Sequence, residues 1–116
     1  MPYVLRKFHR TRPRPADEDE PHFQARVIRL ARLLGWREYH TLDSRGSAPG
    51  FPDLILVSAR QRRLIFAELK SEGGVVSAAQ RVWLAESEAA HPDTYLWRPR
   101  DWARIVETLT GEAASS

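Results

Sequence analysis

The chain has 116 residues, of which 42% are hydrophobic, so it has enough apolar material for one domain with one modest core. It has no cysteine, which excludes disulfides and thiolate zinc sites, and no apolar run approaches the roughly 20 residues that span a bilayer. The formal net charge is +3 and sixteen of the eighteen basic residues are arginine, whose planar side chain matches phosphate oxygens. We therefore expect an intracellular, cytoplasmic protein with no membrane segment and with nucleic acid as its partner.

The N-terminal segment, residues 1–16, carries five basic residues together with Pro13 and Pro15 and has no acidic residue. A helix cannot run through an Arg-Pro-Arg-Pro sequence, so we expect a flexible, extended arm. Such an arm either binds DNA phosphates, with Arg10 and Arg12 as the candidate contacts, or is only a solvated tail.

The first helix is predicted to follow the acidic run at residues 17–20, because carboxylates favour the positive end of a helix dipole and Pro21 fits the first turn. Apolar residues then recur at helical spacing as far as Leu34, and Gly35 ends the helix. The apolar stripe consists of Phe23, Val27, Leu30, Ala31 and Leu34.

Three strands are predicted next, at Trp36–Leu42, Leu54–Val57 and Leu64–Leu69. The loop before the second strand is rich in turn-forming residues, and a short basic turn separates the second strand from the third. The last two strands are continuously apolar, which is typical of central strands covered on both faces.

The remaining pattern predicts a helix capped by Ser77 that runs to about Ala90, a strand at Thr94–Trp97 and a final helix that begins at Asp101. The element order is therefore helix, three strands, helix, strand, helix. We expect one folded domain at residues 17–110, preceded by the arm at 1–16 and followed by a frayed tail at 111–116.

Charged residues interrupt the two apolar strands. Asp53 opens the second strand, while Glu68 and Lys70 point to the same side of the third strand because side chains alternate between its faces. A hairpin would bring Asp53 beside Glu68, giving two carboxylates and an ammonium group in one place, which is the arrangement that a divalent cation and a water nucleophile require. The alternative is a salt bridge at a solvent-facing edge; we favour the functional interpretation because burying charges among apolar residues is costly.

These residues also carry a resemblance. The pair Pro52-Asp53 followed by Glu68-Leu69-Lys70 resembles the signature of the PD-(D/E)XK nuclease superfamily. More narrowly, Gly50-Phe51-Pro52-Asp53 together with Gln80 resembles the VRR-NUC family of virus-type replication and repair nuclease modules. The resemblance implies an α/β fold with a restriction-endonuclease-like core, in the order α-β-β-β-α-β-α, with a central mixed sheet flanked by helices.

The resemblance also implies a role for each site residue. Asp53, Glu68 and the backbone carbonyl of Leu69 would hold Mg²⁺ or Mn²⁺, and Lys70 would orient or deprotonate the attacking water or stabilise charge on the phosphate. Gln80 would position the site or the scissile strand, although it could also be an ordinary exposed helix residue. Glu20 would supply a further acidic ligand, since the family has a glutamate four residues before a glutamine and Gln24 fits that spacing; its alternative role is an acid that favours the start of the helix.

The function implied is that of a metal-dependent DNA endonuclease that leaves 5′-phosphate ends, selective for branched DNA such as Holliday junctions or flaps, in phage or bacterial replication, recombination or repair. Cutting both strands with one site per chain implies a homodimer. The candidate DNA contacts are Arg45 in the loop before the second strand and, in the basic turn, Arg60, Arg62 and Arg63. Two other functions stay open: a non-catalytic DNA-binding or repair accessory module with a nuclease fold, and a nuclease-fold protein that either acts on RNA or is a toxin-like effector.

Overall fold

A computed structural model describes residues 18–40 and 48–111. The arm at 1–16, the tail beyond 111 and most of the loop before the second strand lie outside these described residues. The elements, in chain order, are the helix α1 (Glu20–Leu33), the strands β1 (Arg37–His40), β2 (Leu54–Ser58) and β3 (Arg63–Leu69), the helix α2 (Ala78–Ala90), the strand β4 (Thr94–Trp97), a 3-10 turn (Pro99–Asp101) and the helix α3 (Trp102–Thr110).

The four strands form one mixed sheet in the order β1-β2-β3-β4. The pairs β1/β2 and β2/β3 are antiparallel, whereas β3 and β4 are parallel. Parallel neighbours need a long crossover connection, and α2 supplies it. The predicted element order, the mixed sheet and the central position of β2 and β3 are therefore confirmed.

The hydrophobic core lies on one face of the sheet, beneath α1 and α3. Alternate side chains of β2 and β3 point into it, so that Leu54, Leu56, Ile65 and Ala67 are fully buried. The helices contribute their apolar stripes, of which Phe23, Val27 and Ala31 belong to α1, and Ile105 and Leu109 to α3. This face gives the sheet its rigid support.

The opposite face is only partly covered, which corrects the prediction that both faces of the central strands are buried. Val57 in β2 and Leu64 in β3 remain 43% and 37% exposed. The reason is geometric: a single helix about 10 Å wide cannot cover four strands spaced about 4.8 Å apart. The covering helix is α2, whose Trp83 packs on Phe51 at 5.1 Å between ring centroids, and Phe51 packs on Phe66.

Several elements begin or end one residue away from the predicted position, and for two of them the structure gives a physical reason. Trp36, expected to open the first strand, turns into the core, where its indole N–H donates to the carbonyl of Leu109 at 2.9 Å. The last helix begins at Trp102, one residue later than predicted, because the 3-10 turn takes up Asp101. No helix in the described part of the chain is both long enough and apolar enough to cross a membrane.

Candidate active site

Asp53 and Glu68 meet at one end of the sheet. Leu54 pairs with Ala67, so the antiparallel register places the residue before Leu54 opposite the residue after Ala67. The carboxylate of Asp53 accepts a hydrogen bond from the backbone N–H of Leu69 at 3.1 Å, which fixes its orientation. The side chain of Glu68 is 1% exposed and points to the face that α2 covers. The hairpin thus brings together the two carboxylates that the sequence predicted.

The electrostatics of this pair are unusual. Burial, and after it a hydrogen-bonding contact with the carboxyl group of Asp53 and the negative charge of Asp53, together raise the pKa of Glu68 to about 9, although Lys70 acts in the opposite direction. One oxygen of Glu68, Oε1, is buried with no hydrogen-bond partner among the described residues. Together these features describe two neighbouring acids whose negative charge Lys70 compensates only in part.

Gln80 is oriented by the start of α2. Ser77 is the N-cap, and its backbone N–H donates to Oε1 of Gln80 at 2.8 Å while its own side chain accepts from the backbone N–H of Gln80. Because the oxygen of the amide is held by Ser77, its nitrogen points into the site and donates to Oε2 of Glu68 at 3.0 Å. Gln80 therefore connects the helix cap to the buried carboxyl.

Gly50 explains how the loop before Asp53 reaches α2. Its φ is +86°, and a Cβ atom at this position would lie 2.4 Å from the carbonyl carbon of Ala79 and 2.7 Å from the backbone nitrogen of Gln80. Only glycine permits this conformation and this approach of two backbones. The sequence included Gly50 in the motif, and the structure supplies the physical reason for it.

Lys70 and Glu20 complete the charged cluster. Lys70 directly follows β3, and its backbone N–H donates to the carbonyl of Trp97 at 3.0 Å. Glu20 is the first residue of α1, after the N-cap Asp19, so it belongs to the helix. Burial raises the pKa of Glu20, as does the negative charge of Asp53, while Lys70 lowers it. Glu20 is therefore within electrostatic reach of the site.

A buried ion pair, which the sequence did not predict, holds the start of α1 in place. Glu18 is 6% exposed, and Arg26 donates to both of its oxygens at 2.8 Å. The guanidinium group of Arg26 also lies 4.1 Å from the ring centroid of Trp102 in α3. This anchoring of Glu18 fixes the position of Glu20 two residues later.

A divalent cation such as Mg²⁺ needs several oxygen ligands. Within residues 18–40 and 48–111, no group of three or more His, Cys, Asp or Glu side chains is arranged to hold a metal ion. The oxygens of Asp53 and Glu68 form a pair, and the unpartnered Oε1 of Glu68 is a free ligand position. Hard cations take oxygen ligands from carboxylates, backbone carbonyls and water, so this pair fits a magnesium-type ion that keeps several waters.

The candidate DNA contacts fall into three groups. Arg10, Arg12 and Arg45 lie outside the described residues. Arg60 and Arg62 are exposed in the hairpin turn. The five residues of β2 separate this turn from Asp53, which corresponds to about 17 Å. Arg63 stabilises the fold, since its guanidinium group donates to both oxygens of Asp93 at 2.9 Å and to the carbonyl of Thr108.

Comparison with protein families identifies a domain family that matches most of the chain. The model of the VRR-NUC domain matches residues 18–98, which is more than half of the chain. Comparison with curated proteins and with solved structures gives no match. The matched region begins before α1 and ends after β4, so it includes all of the charged cluster just described. This chain belongs to the VRR-NUC family.

Proposed function

We propose that this protein is a Mg²⁺- or Mn²⁺-dependent DNA endonuclease. The observation that carries the proposal is the pair formed by Asp53 and the buried Glu68, where a cation would offset the negative charge of both carboxylates, beside Lys70 and Gln80. In a structural ion pair, the neighbouring positive charge keeps the carboxylate ionised. Here the positive charge of Lys70 lowers the pKa of Glu68, yet that pKa still lies at about 9. Membership in a nuclease-type family supports the same conclusion.

In the proposed reaction, the chain's own groups bind and orient. Asp53, Glu68 and the carbonyl of Leu69 would hold the cation, which when bound neutralises phosphate charge and lowers the pKa of water. Glu20 would extend this acidic set, either directly or through a water molecule. Gln80 keeps Glu68 in its ligating orientation, because the hydrogen bond from its amide nitrogen holds Oε2 and leaves Oε1 free.

Lys70 would place its ammonium group next to the scissile phosphate. There it orients the attacking water and stabilises negative charge that develops on the phosphate oxygens. The water oxygen forms a bond to phosphorus while the bond from phosphorus to the 3′ oxygen breaks. The 3′ oxygen takes up a proton and the water releases one, so the products are a 5′-phosphate and a 3′-hydroxyl.

The substrate we propose is branched DNA, such as junctions or flaps, in phage or bacterial replication, recombination or repair. Apart from the 3-10 turn and α3, every element in the described part of the chain lies within the region that matches the VRR-NUC domain, which favours recognition of DNA shape over reading of base edges. Residues 18–40 and 48–111 contain one such site, so a homodimer would cut two strands. Arg60 and Arg62, together with Arg45, Arg10 and Arg12, are the proposed phosphate contacts.

The test is incubation of the purified protein with branched and linear DNA in Mn²⁺, in Mg²⁺ and in EDTA. We expect cleavage only with a cation, 5′-phosphate ends, and no cleavage by Asp53→Asn. Lys70→Ala should cleave about 100- to 1,000-fold more slowly, the loss typical of one charge-stabilising donor. Glu88→Gln and Arg104→Ala are matched controls, because both residues are exposed on helices.

Intact DNA in every reaction of the wild-type protein would overturn the nuclease proposal. If the protein then still bound Mn²⁺ and branched DNA, the accessory DNA-binding function would be supported. Equal cleavage by the wild type and Asp53→Asn would show that the cutting activity comes from elsewhere.

A further inference from the structure

Arg98 gathers three backbone carbonyls around one nitrogen. The residue directly follows β4, and its Nη1 donates to the carbonyl oxygens of Ser71 at 2.6 Å, Gly74 at 2.8 Å and Glu72 at 3.2 Å. These three acceptors belong to the short loop at residues 71–74, between β3 and α2. A cationic donor makes stronger hydrogen bonds than a neutral one, so this contact attaches the loop firmly to the end of β4.

The loop that Arg98 holds joins two parts of the active site. Lys70 lies immediately before the loop. Ser77, the N-cap of the helix that carries Gln80, lies three residues after Gly74. A displacement of this loop would therefore move both groups.

Gly74 brings the loop against the side chain of Lys70. Its backbone N–H donates to the carbonyl of Ser71 at 3.1 Å, which closes a tight turn. A Cβ atom on Gly74 would lie 3.4 Å from Cδ of Lys70 and 3.1 Å from Oγ of Ser71. The closed turn thus packs beside the aliphatic part of the Lys70 side chain. Arg98 binds the same turn through the carbonyl of Gly74.

Arg98 is itself held firmly. Its backbone N–H donates to the carboxylate of Asp101 at 2.9 Å, and the carbonyl of its neighbour Trp97 accepts from the backbone N–H of Lys70. The end of β4 therefore contacts Lys70 twice, directly through the backbone and indirectly through the loop. A second link joins Glu72 to the backbone N–H of Arg100 at 2.5 Å.

We propose that Arg98 is a positioning residue of the nuclease site: by fixing the turn at residues 71–74, it holds the Lys70 side chain and the start of α2 in their reactive positions. This inference rests on the proposed function, since it names a further residue that supports that reaction. A lysine side chain has four rotatable bonds, and the turn packed beside Lys70 limits the number of conformations that the side chain can adopt. Arg98 acts through Lys70 and Gln80 and touches neither the substrate nor the cation.

The experiment compares Arg98→Ala and Arg98→Lys with Arg104→Ala, which removes the same charge from an exposed position on α3. Hydrogen exchange is followed at residues 70–80 and in β2, and DNA cleavage is measured under single-turnover conditions. For Arg98→Ala we expect faster exchange at 70–80 with unchanged exchange in β2, and a cleavage rate constant lowered about 100-fold with little change in the DNA concentration at half-saturation. Arg98→Lys, which can satisfy part of the carbonyl set, should recover part of both losses.

Two outcomes would overturn the proposal: wild-type exchange at residues 70–80 in Arg98→Ala, or increased exchange in β2 as large as that in the loop, which would indicate general destabilisation. A change in half-saturation alone would assign Arg98 to DNA binding and would also contradict the proposal. The exchange measurement does not depend on cleavage, so an inactive wild-type protein would refute the nuclease function while the exchange data still decided whether Arg98 holds the loop.

Discussion

The amide nitrogen of Gln80 donates to Glu68 at 3.0 Å while its amide oxygen accepts from the backbone N–H of Ser77 at 2.8 Å. One side chain therefore closes the N-terminus of α2 and holds a buried carboxyl of the site. Because the two contacts use different atoms, substitutions can separate the two roles.

The substitution Gln80→Glu should keep the helix cap and damage the site. Glutamate accepts from the N-cap backbone as well as glutamine does, but it cannot donate to Glu68 once ionised and adds a further negative charge beside the pair. We expect cleavage to fall about 10- to 100-fold, the usual cost of losing a hydrogen bond to a metal ligand. Circular dichroism should show an unchanged helix content.

Ser77→Ala is the complementary control. It removes the side-chain cap and should lower the free energy of unfolding by about 1 kcal/mol while leaving the bond from Gln80 to Glu68 in place. If Ser77→Ala reduced cleavage as much as Gln80→Glu, the role of Gln80 would be confined to the helix cap.

Gly50→Ala should be strongly destabilising. The new methyl group would lie 2.4 Å from the backbone of Ala79, and the φ of +86° is strained for any residue with a Cβ. We expect a loss of about 1–3 kcal/mol in the free energy of unfolding, measured by denaturant titration, together with loss of cleavage, because α2 must move away from Asp53. Gly73→Ala is the matched control, since no atom lies within 4 Å of its added Cβ and its φ is not positive; equal destabilisation by both would contradict the close approach.

Much of this architecture could be predicted from the sequence because its signals are local. Apolar runs, the Ser77 cap and Gly35 at the end of the first helix led to the correct element order, and the predicted hairpin placed Asp53 beside Glu68. The roles of Arg63 and Arg98 could not be predicted, since Arg63 pairs with Asp93 thirty residues away and Arg98 binds carbonyls that carry no side-chain signal. An apolar strand likewise does not reveal how wide its covering helix is, so the exposure of Val57 was missed.

Binding of a cation should stabilise the fold through the carboxylate pair. A ligand that binds only the folded state adds about 2.7 kcal/mol when its concentration is 100 times its Kd, so Mn²⁺ should raise the Tm in a concentration-dependent way. Asp53→Asn should remove the increase, because one of the two carboxylates is then neutral, whereas Glu88→Gln should keep it. An equal rise in Tm for the wild type and Asp53→Asn would place the bound ion at another site.

The ion pair between Arg63 and Asp93 should make the fold sensitive to acid. Burial raises the pKa of Asp93, but the hydrogen bonds from Arg63 and Tyr95 outweigh it, so the pKa lies below its ordinary value. A group whose pKa is lower in the folded state stabilises the protein above its unfolded pKa of about 3.9, and this stabilisation is lost as the pH falls through the folded value. We therefore expect the free energy of unfolding, measured in urea, to decrease between about pH 5 and pH 2.

Asp93→Asn should lower stability at pH 7 by about 1–3 kcal/mol and flatten this dependence, since the hydrogen bonds to a charged acceptor are lost and the remaining amide does not titrate. An unchanged slope in Asp93→Asn would assign the acid sensitivity to other carboxylates, of which Glu18 and Glu38 also have lowered pKa values, owing first to hydrogen bonds from Arg26 and Arg32.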